Sequence, residues 1–391
     1  MNILIFINYY LPGYKSGGPL RSILNLVGQL GDTFNFLIVT RDRDLGDSSP
    51  YRTIKRDEWI DAGAYRIFYM SPEKNSIADI QNLLKTTPHD IVYLNSFFDF
   101  QFSIKPLLTL RFFTNLKSPV ILAPRGEFSS GALSLKAKKK AAFIHLAKLL
   151  GLYKGVSFQA SSIIEKADAV RALGVDPARV EIAIDLPEKG ANNFYTAAAL
   201  IPAQASSKAL RLVFLSRISP KKNLDFALSV LQNVKEEVIF DIYGPKEDAA
   251  YWQQCHELIE KIPTNIIARY CSTVKPDEVK SIFAAYDLFF FPTLGENYGH
   301  VIAESLSVGT PVLLSDQTPW RNLADDNLGW DIPLDAPQLF AAKIAELAKA
   351  APSERNAQRS AIRQHTLSRL ADPQIVEQNR AMFYSALARQ A

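Results

Sequence analysis

In its N-terminal half the chain alternates apolar runs of about five residues with longer stretches of mixed polarity. The runs are Ile3–Ile7, Phe36–Thr40, Tyr65–Tyr69, Ile91–Leu94 and Val120–Ala123, and a helix signal opens after Pro19. A run this short and this evenly apolar predicts a strand buried on both faces, as in a parallel sheet. The rhythm restarts at Leu210. Strands are predicted at Leu212–Leu215, Val238–Tyr243, Ile266–Cys271, Leu288–Phe291 and Val312–Leu314. The helices between them are predicted at Lys222–Asn233, Asp248–Ile262 and Pro276–Ala285, and a fourth lies before Val312. Strand–helix alternation of this kind predicts doubly wound α/β sheets, here two Rossmann-like halves.

Leu186 to Lys208 is rich in Ala, Pro, Asn and Ser without a period and reads as the linker. The expected division is therefore residues 1–190, residues 191–371, and a last helix over 372–391 with Ile375, Met382, Phe383 and Leu387 as its apolar points. Two such halves joined by a hinge are expected to face each other across an interdomain cleft, because sheets of this kind bind ligands at the carboxyl ends of their strands.

With 391 residues and 48% hydrophobic content, the chain can fill two cores, which excludes a disordered protein. Its two cysteines, Cys255 and Cys271, are too few for a disulfide framework and point to a reducing cytosol. Neither they nor the five scattered histidines have metal-ligand spacing. Met1–Ile7 reads as a first strand and not as a signal peptide, and no uncharged apolar stretch approaches the roughly 20 residues that span a bilayer.

Charge changes the picture in one place. Phe100 to Ile164 holds ten basic residues and the single acid Glu127, in a chain of net formal charge +4. Such asymmetry suggests an anionic partner met by one face. Within it, Ala141–Tyr153 is aliphatic on most helical faces and follows Lys136, Lys138, Lys139 and Lys140. Two readings stand: a surface helix against anionic lipid headgroups, or a buried core helix with a lysine-rich entry. The patch carries no nucleic-acid-binding motif.

The candidate chemistry begins at Phe291-Pro-Thr-Leu-Gly-Glu296-Asn297-Tyr298-Gly299-His300-Val301-Ile-Ala-Glu304, which runs on to Gly309-Thr-Pro311. A glycine-containing turn feeding a helix N-terminus offers backbone N–H groups and a partial positive charge to a diphosphate. Glu296 and Glu304 put one carboxylate in the turn and one in the helix. Arg217, just past a strand end, and Lys222, opening the next helix, can clamp one diphosphate from two sides. Gly17-Gly18-Pro19 before the first helix allows close backbone approach to a ligand. Tyr243-Gly244-Pro245 and Tyr270-Cys271-Ser272 end two strands where a nucleotide base would rest.

From Phe291 to Leu314 the chain resembles the donor-binding signature of retaining glycosyltransferases with the GT-B fold, in particular glycosyltransferase family 4, which includes bacterial cell-surface polysaccharide enzymes. The resemblance implies an N-terminal acceptor-binding domain, a C-terminal nucleotide-sugar-binding domain, and a last helix crossing back to the first. It implies that Glu296 orients the donor sugar or stabilises its oxocarbenium-like centre, that Glu304 binds the ribose, and that Arg217 and Lys222 hold the pyrophosphate. Gly17, Gly18, Gly244, Asn297, Tyr298, Gly299, His300 and Val301 complete the implied donor site. His300, at a helix start, is expected to be a neutral ring or a backbone donor and not a general base.

No metal and no other cofactor is expected, since the two cations fill that role. The sequence departs from the family at Pro124-Arg125-Gly126-Glu127, where many members have a histidine. Arg125 is read as a contact to a phosphate or acid and Glu127 as a proton acceptor, or both as an Arg–Glu pair that stiffens the loop.

The expected activity is retaining transfer of a hexose-type sugar from a UDP- or GDP-linked donor to a glycan acceptor, with a lipid-linked polysaccharide precursor such as a lipopolysaccharide intermediate preferred. The alternatives are a small cytosolic acceptor, or a nucleotide-sugar epimerase of the same fold. The expected location is the cytoplasm, with peripheral attachment to the cytoplasmic face of the inner membrane under the lipid reading.

Overall fold

The computed structural model describes residues 1–189 and 209–389. The expected boundary at 190/191, the linker from residue 190 onward and residues 390–391 of the last helix lie outside the described residues. The chain divides into two compact units, one made of Met1–Lys189 with Asp372–Ala391, the other of Gly190–Ala371.

In the first unit the strands are β1 (Asn2–Phe6), β2 (Asn35–Arg41), β3 (Trp59–Asp61), β4 (Tyr65–Met70), β5 (Ile91–Asn95), β6 (Val120–Ala123), β7 (Ser157–Ala160) and β8 (Val180–Ile182). They form one sheet in the order β3-β4-β2-β1-β5-β6-β7-β8, parallel except for the antiparallel edge strand β3. Alternation along β1 builds two cores at once. Leu4 and Phe6 face one layer with Leu94, Leu122 and Phe158, while Ile3 and Ile5 face the other with Ile38, Tyr93 and Ile121.

The second layer is closed from both ends of the chain. Helix Gly18–Leu30 contributes Ile23, Leu26 and Leu30, and the final helix Pro373–Ala388 contributes Met382 and Phe383. The fully buried Phe383 ring meets Phe34, Phe36 and Tyr93 edge-on at 5.4, 6.5 and 5.6 Å.

The second unit has β9 (Leu210–Leu215), β10 (Val238–Tyr243), β11 (Ile266–Ser272), β12 (Leu288–Phe291), β13 (Val312–Ser315) and β14 (Gly329–Ile332). All pairs are parallel, in the order β11-β10-β9-β12-β13-β14. Both sheets are therefore doubly wound. From β1 the chain moves outward on one side and from β5 on the other, and β9 and β12 repeat this in the second unit.

Four strands escape the hydrophobic pattern: β3, β7, β8 and β14. Each is three or four residues long, and Ser157-Phe-Gln-Ala and Gly329-Trp-Asp-Ile lack an aliphatic run. They are strands because a neighbouring strand offers backbone partners. The lysine-rich helix begins earlier than its aliphatic stretch suggests, at Ala137–Leu149, and only Ala147 on it is buried. Leu146, Leu149 and Leu150 are exposed, so it is not a buried core helix. No helix among the described residues is long and apolar enough to cross a membrane.

Because Phe383 closes a core with residues from the other end of the chain, Phe383→Ala is expected to cost about 3–5 kcal/mol of stability. An unchanged thermal or urea unfolding midpoint would show that the last helix does not support the N-terminal unit.

Candidate functional site

In the second unit β9 pairs with β12, Leu288 opposite Leu212 and Phe289 opposite Val213. Their connections leave toward opposite edges, so a gap opens beyond their carboxyl ends, the position where sheets of this kind bind ligands. The loop after β9 carries Arg217 and Lys222; the loop after β12 carries Glu296. Backbone contacts fasten the two loops together. The Leu294 N–H donates to Lys221 O at 2.9 Å, Thr293 Oγ1 donates to the same carbonyl at 3.0 Å, and Asn223 Nδ2 donates to Pro292 O at 2.9 Å.

From the other side, the Glu296 N–H donates to Gln317 O, Ser315 Oγ donates to Thr293 O, and Trp320 Nε1 donates to Tyr298 O at 2.7 Å. The turn is thus held by the two loops that flank it on the same sheet, those after β9 and β13.

Lys222 Nζ and the Glu296 carboxylate form an ion pair in which both side chains are nearly buried. Burial opposes both charges. On Glu296 the nearby Lys222, Lys221 and Arg217 outweigh it, and the carboxyl lies below its usual range. Burial pulls the Lys222 ammonium down, with Glu296 working against that pull. Arg217 is more open. Its Nη1 lies 2.9 and 3.0 Å from the two oxygens of Glu247, on the loop after β10. Both cations read as a diphosphate clamp are therefore present at the carboxyl end of one sheet, each with a carboxylate partner.

Gly299 caps the helix His300–Ser307 with φ +79°, and the His300 ring packs edge-on against Tyr298 with centroids 4.9 Å apart. Asn297, His300 and Val301 are half-buried at the helix start, and Glu304 is half-buried within the helix. Gly244 is required by packing and by its backbone conformation. At φ +134° a Cβ there would lie 1.8 Å from Ser216 O. Tyr270 Oη donates to Gly244 O at 3.1 Å, which fixes the end of the neighbouring strand.

In the first unit the same switch lies between β1 and β5. Gly17, at φ +75°, caps helix Gly18–Leu30, and a Cβ on Gly18 would meet nothing within 4 Å. Asp44 braces this loop by accepting from the backbone N–H groups of Tyr14 and Lys15 at 2.9 and 3.3 Å.

Arg125 and Glu127 do not pair with each other. Arg125 is buried, its Nη1 is 2.5 Å from Asp185 Oδ1, and it donates further to Asn95 Oδ1 and Tyr93 Oη. Burial alone would disfavour its charge, but Asp185 outweighs burial and holds the guanidinium protonated. Glu127 accepts from Ser96 Oγ at 2.8 Å and from the N–H groups of Phe97 and Phe98 at 2.5 and 3.2 Å, and burial raises its pKa.

Both residues thus tie the strand ends together, and of the two contacts read for Arg125, a phosphate or an acid, the acid is present as Asp185. The backbone there is held at φ +100° for Ser96 and +55° for Arg125, strain that these bonds sustain.

Sequence reasoning missed Glu247, Asp185 and Asp44. Glu247 stands two residues beyond the quoted Gly244-Pro245, and strand order would have placed it beside Arg217. Asp185 has no local signal.

These two units define the class first: the architecture is the two-domain, Rossmann-like GT-B fold. Anabaena HepE in complex with UDP and glucose superposes with a TM-score of 0.68 at 13% identity, covering 98% of this chain and 100% of that one. Residues 201–365 match the family model of "Glycosyl transferases group 1". Among curated relatives, the sulfoquinovosyl transferase of Arabidopsis thaliana is 31% identical over 104 residues, 26% of this chain and 18% of the relative. The phosphatidyl-myo-inositol mannosyltransferase of Mycobacterium tuberculosis is 28% identical over 185 residues, 45% of each chain. The matched stretches span less than half the length of either relative.

The two glycines separate packing from ligand approach. Gly244→Ala is expected to destabilise the protein by about 1–3 kcal/mol, the scale of a forced backbone conformation. Gly18→Ala should leave the melting temperature unchanged. Equal melting temperatures for the two variants would refute this division.

Proposed function

We propose that the protein is a retaining glycosyltransferase that moves a hexose-type sugar from a nucleoside diphosphate to a glycan acceptor, preferably a lipid-linked polysaccharide precursor. The observation that carries the proposal is the meeting of Arg217, Lys222 and Glu296 at the switch point of the C-terminal sheet. When the anomeric C–O bond breaks, the electron pair stays on the diphosphate. Arg217 and Lys222 stabilise that charge, and Glu296 holds Lys222 in place.

The acceptor hydroxyl adds to the anomeric carbon on the face the diphosphate leaves, and its proton passes to a diphosphate oxygen. Glu304 binds the ribose. Asn297, Tyr298, Gly299, His300 and Val301 present the helix start to the donor, and Gly17 and Gly18 remain proposed donor contacts. No metal is assigned a part. The UDP and glucose in the HepE complex support a nucleotide-sugar donor, and the lipid in the mycobacterial relative's name supports a lipid acceptor.

One surface observation favours the lipid acceptor. Ten of the fifteen large apolar side chains exposed among the described residues lie between Phe100 and Ile164, the stretch that also carries the basic excess. Leu149 and Ile163 are 72% and 75% exposed. Exposed apolar and cationic groups concentrated in one stretch of chain suit an anionic leaflet, where each lysine contributes about 1 kcal/mol. Lys140 is not among these exposed groups, since its Nζ donates to Ala132 O at 2.6 Å and lies over the Phe98 ring.

Incubation with a panel of UDP- and GDP-sugars, scored by release of the nucleoside diphosphate, tests the reading directly. Arg217→Ala and Lys222→Ala are each expected to cost about 2–4 kcal/mol in transition-state stabilisation. Glu304→Ala should raise KM for the donor more than it lowers kcat. Wild-type turnover should survive EDTA, and turnover lost in chelator and restored by magnesium would rule out the metal-free clamp. Replacing Lys136, Lys138 and Lys139 by glutamine should weaken sedimentation with phosphatidylglycerol vesicles at low salt. Protein that stays in the supernatant before any substitution would move the small soluble acceptor ahead.

A further inference from the structure

The first unit carries a second concentration of charge, at the opposite end of its sheet from Arg125 and Glu127. Around the amino ends of β6, β7 and β8 a cavity of about 700 Å³ is floored by Val120, Val156 and Ala386. Its wall carries Arg111, Lys117, Lys154, Arg179 and Arg389, and no carboxylate lines it. Arg389 is matched by Glu181 at 2.8 Å. Arg111 donates to the carbonyls of Gly151 and Lys154, which fixes its guanidinium without neutralising it. Lys117 and Lys154 are exposed, Arg179 is half-buried, and none of the three forms an ion pair among the described residues.

Cations gathered around one concavity repel each other, which opposes the fold; an anion placed among them reverses the sign of that interaction. The volume suits a small phosphorylated group, and a rigid guanidinium beside mobile ammonium groups is the donor set that phosphate oxygens take. Leu116, exposed between Arg111 and Lys117, adds an apolar side chain to the basin's lining.

We propose that this basin binds a phosphate-bearing anion at a site separate from the diphosphate clamp, either a phospholipid headgroup or a soluble phosphate ester. The inference does not rest on the glycosyltransferase reading, since its test uses no sugar donor.

The test compares the intact protein with the triple variant Lys117→Ala, Lys154→Ala, Arg179→Ala, whose side chains hold no internal ion pair. Millimolar inorganic phosphate or glycerol 3-phosphate, against chloride of equal ionic strength, is expected to raise the wild-type melting temperature by about 3 °C near tenfold saturation. The triple variant should lose that shift. A control lacking the same charge elsewhere, Lys136→Ala, Lys138→Ala, Lys139→Ala, should keep it.

Cosedimentation with phosphatidylglycerol vesicles separates the sources. If the triple variant loses vesicle binding while soluble phosphates shift neither protein, the ligand is a lipid headgroup. A phosphate shift lost in the triple variant, with vesicle binding unchanged, identifies a soluble ester. The site is overturned if the triple variant matches wild type in both measurements, or if the control loses the phosphate shift equally.

Discussion

Parallel strands cannot be joined by a tight turn. Each must return through a crossover, and the crossovers cover both faces of the sheet with helices. What remains open to a ligand is the row of loops beyond the carboxyl ends, and the widest opening falls where successive crossovers change sides. In the C-terminal unit that point lies between β9 and β12, and Arg217, Lys222, Glu247, Glu296 and the start of helix His300–Ser307 all sit on loops that converge there. The chemistry proposed for this protein depends on that topological constraint more than on any single contact.

A buried ion pair such as Lys222–Glu296 is poor value as a stabiliser, because desolvation of two charges offsets most of their attraction. Its use lies in orientation. The carboxylate fixes a flexible lysine at the carboxyl end of the sheet, and in the proposed reaction it keeps a cation where negative charge would develop on the leaving diphosphate. Glu247 treats Arg217 differently: that pair is partly open, so in the proposed reaction an incoming phosphate would compete with the carboxylate for the guanidinium. The two cations thus enter the proposed reaction under different conditions, one held and one exchangeable.

The N-terminal unit uses similar residue types for another purpose. Arg125, Asp185, Tyr93 and Asn95 satisfy one another beneath the carboxyl ends of β5 and β6, and Glu127 ties down the Ser96–Phe98 loop. Charged residues at a strand end read as site chemistry from either unit's sequence. Only burial and partners distinguish a residue that holds the frame from one that presents charge to a ligand. The surplus of unneutralised cations lies at the other end of the same sheet, around Arg111, Lys117, Lys154 and Arg179.

The sequence by itself determined the number of sheets, their parallel character and most strands, because fully buried strands must be written as apolar runs such as Ile3–Phe6 and Leu288–Phe291. It also determined the turn-helix from Gly295 to Glu304, whose glycines are local requirements of backbone geometry. The tertiary structure alone decided the rest. Short strands such as Ser157–Ala160 exist because a neighbour supplies hydrogen bonds, and no local pattern encodes a neighbour. Glu296 meets Lys222 across 74 positions of sequence, and Arg125 meets Asp185 across 60. The lysine-rich helix Ala137–Leu149 proved exposed for the same reason: its composition fits a core or a surface, and only the packing around it decides which.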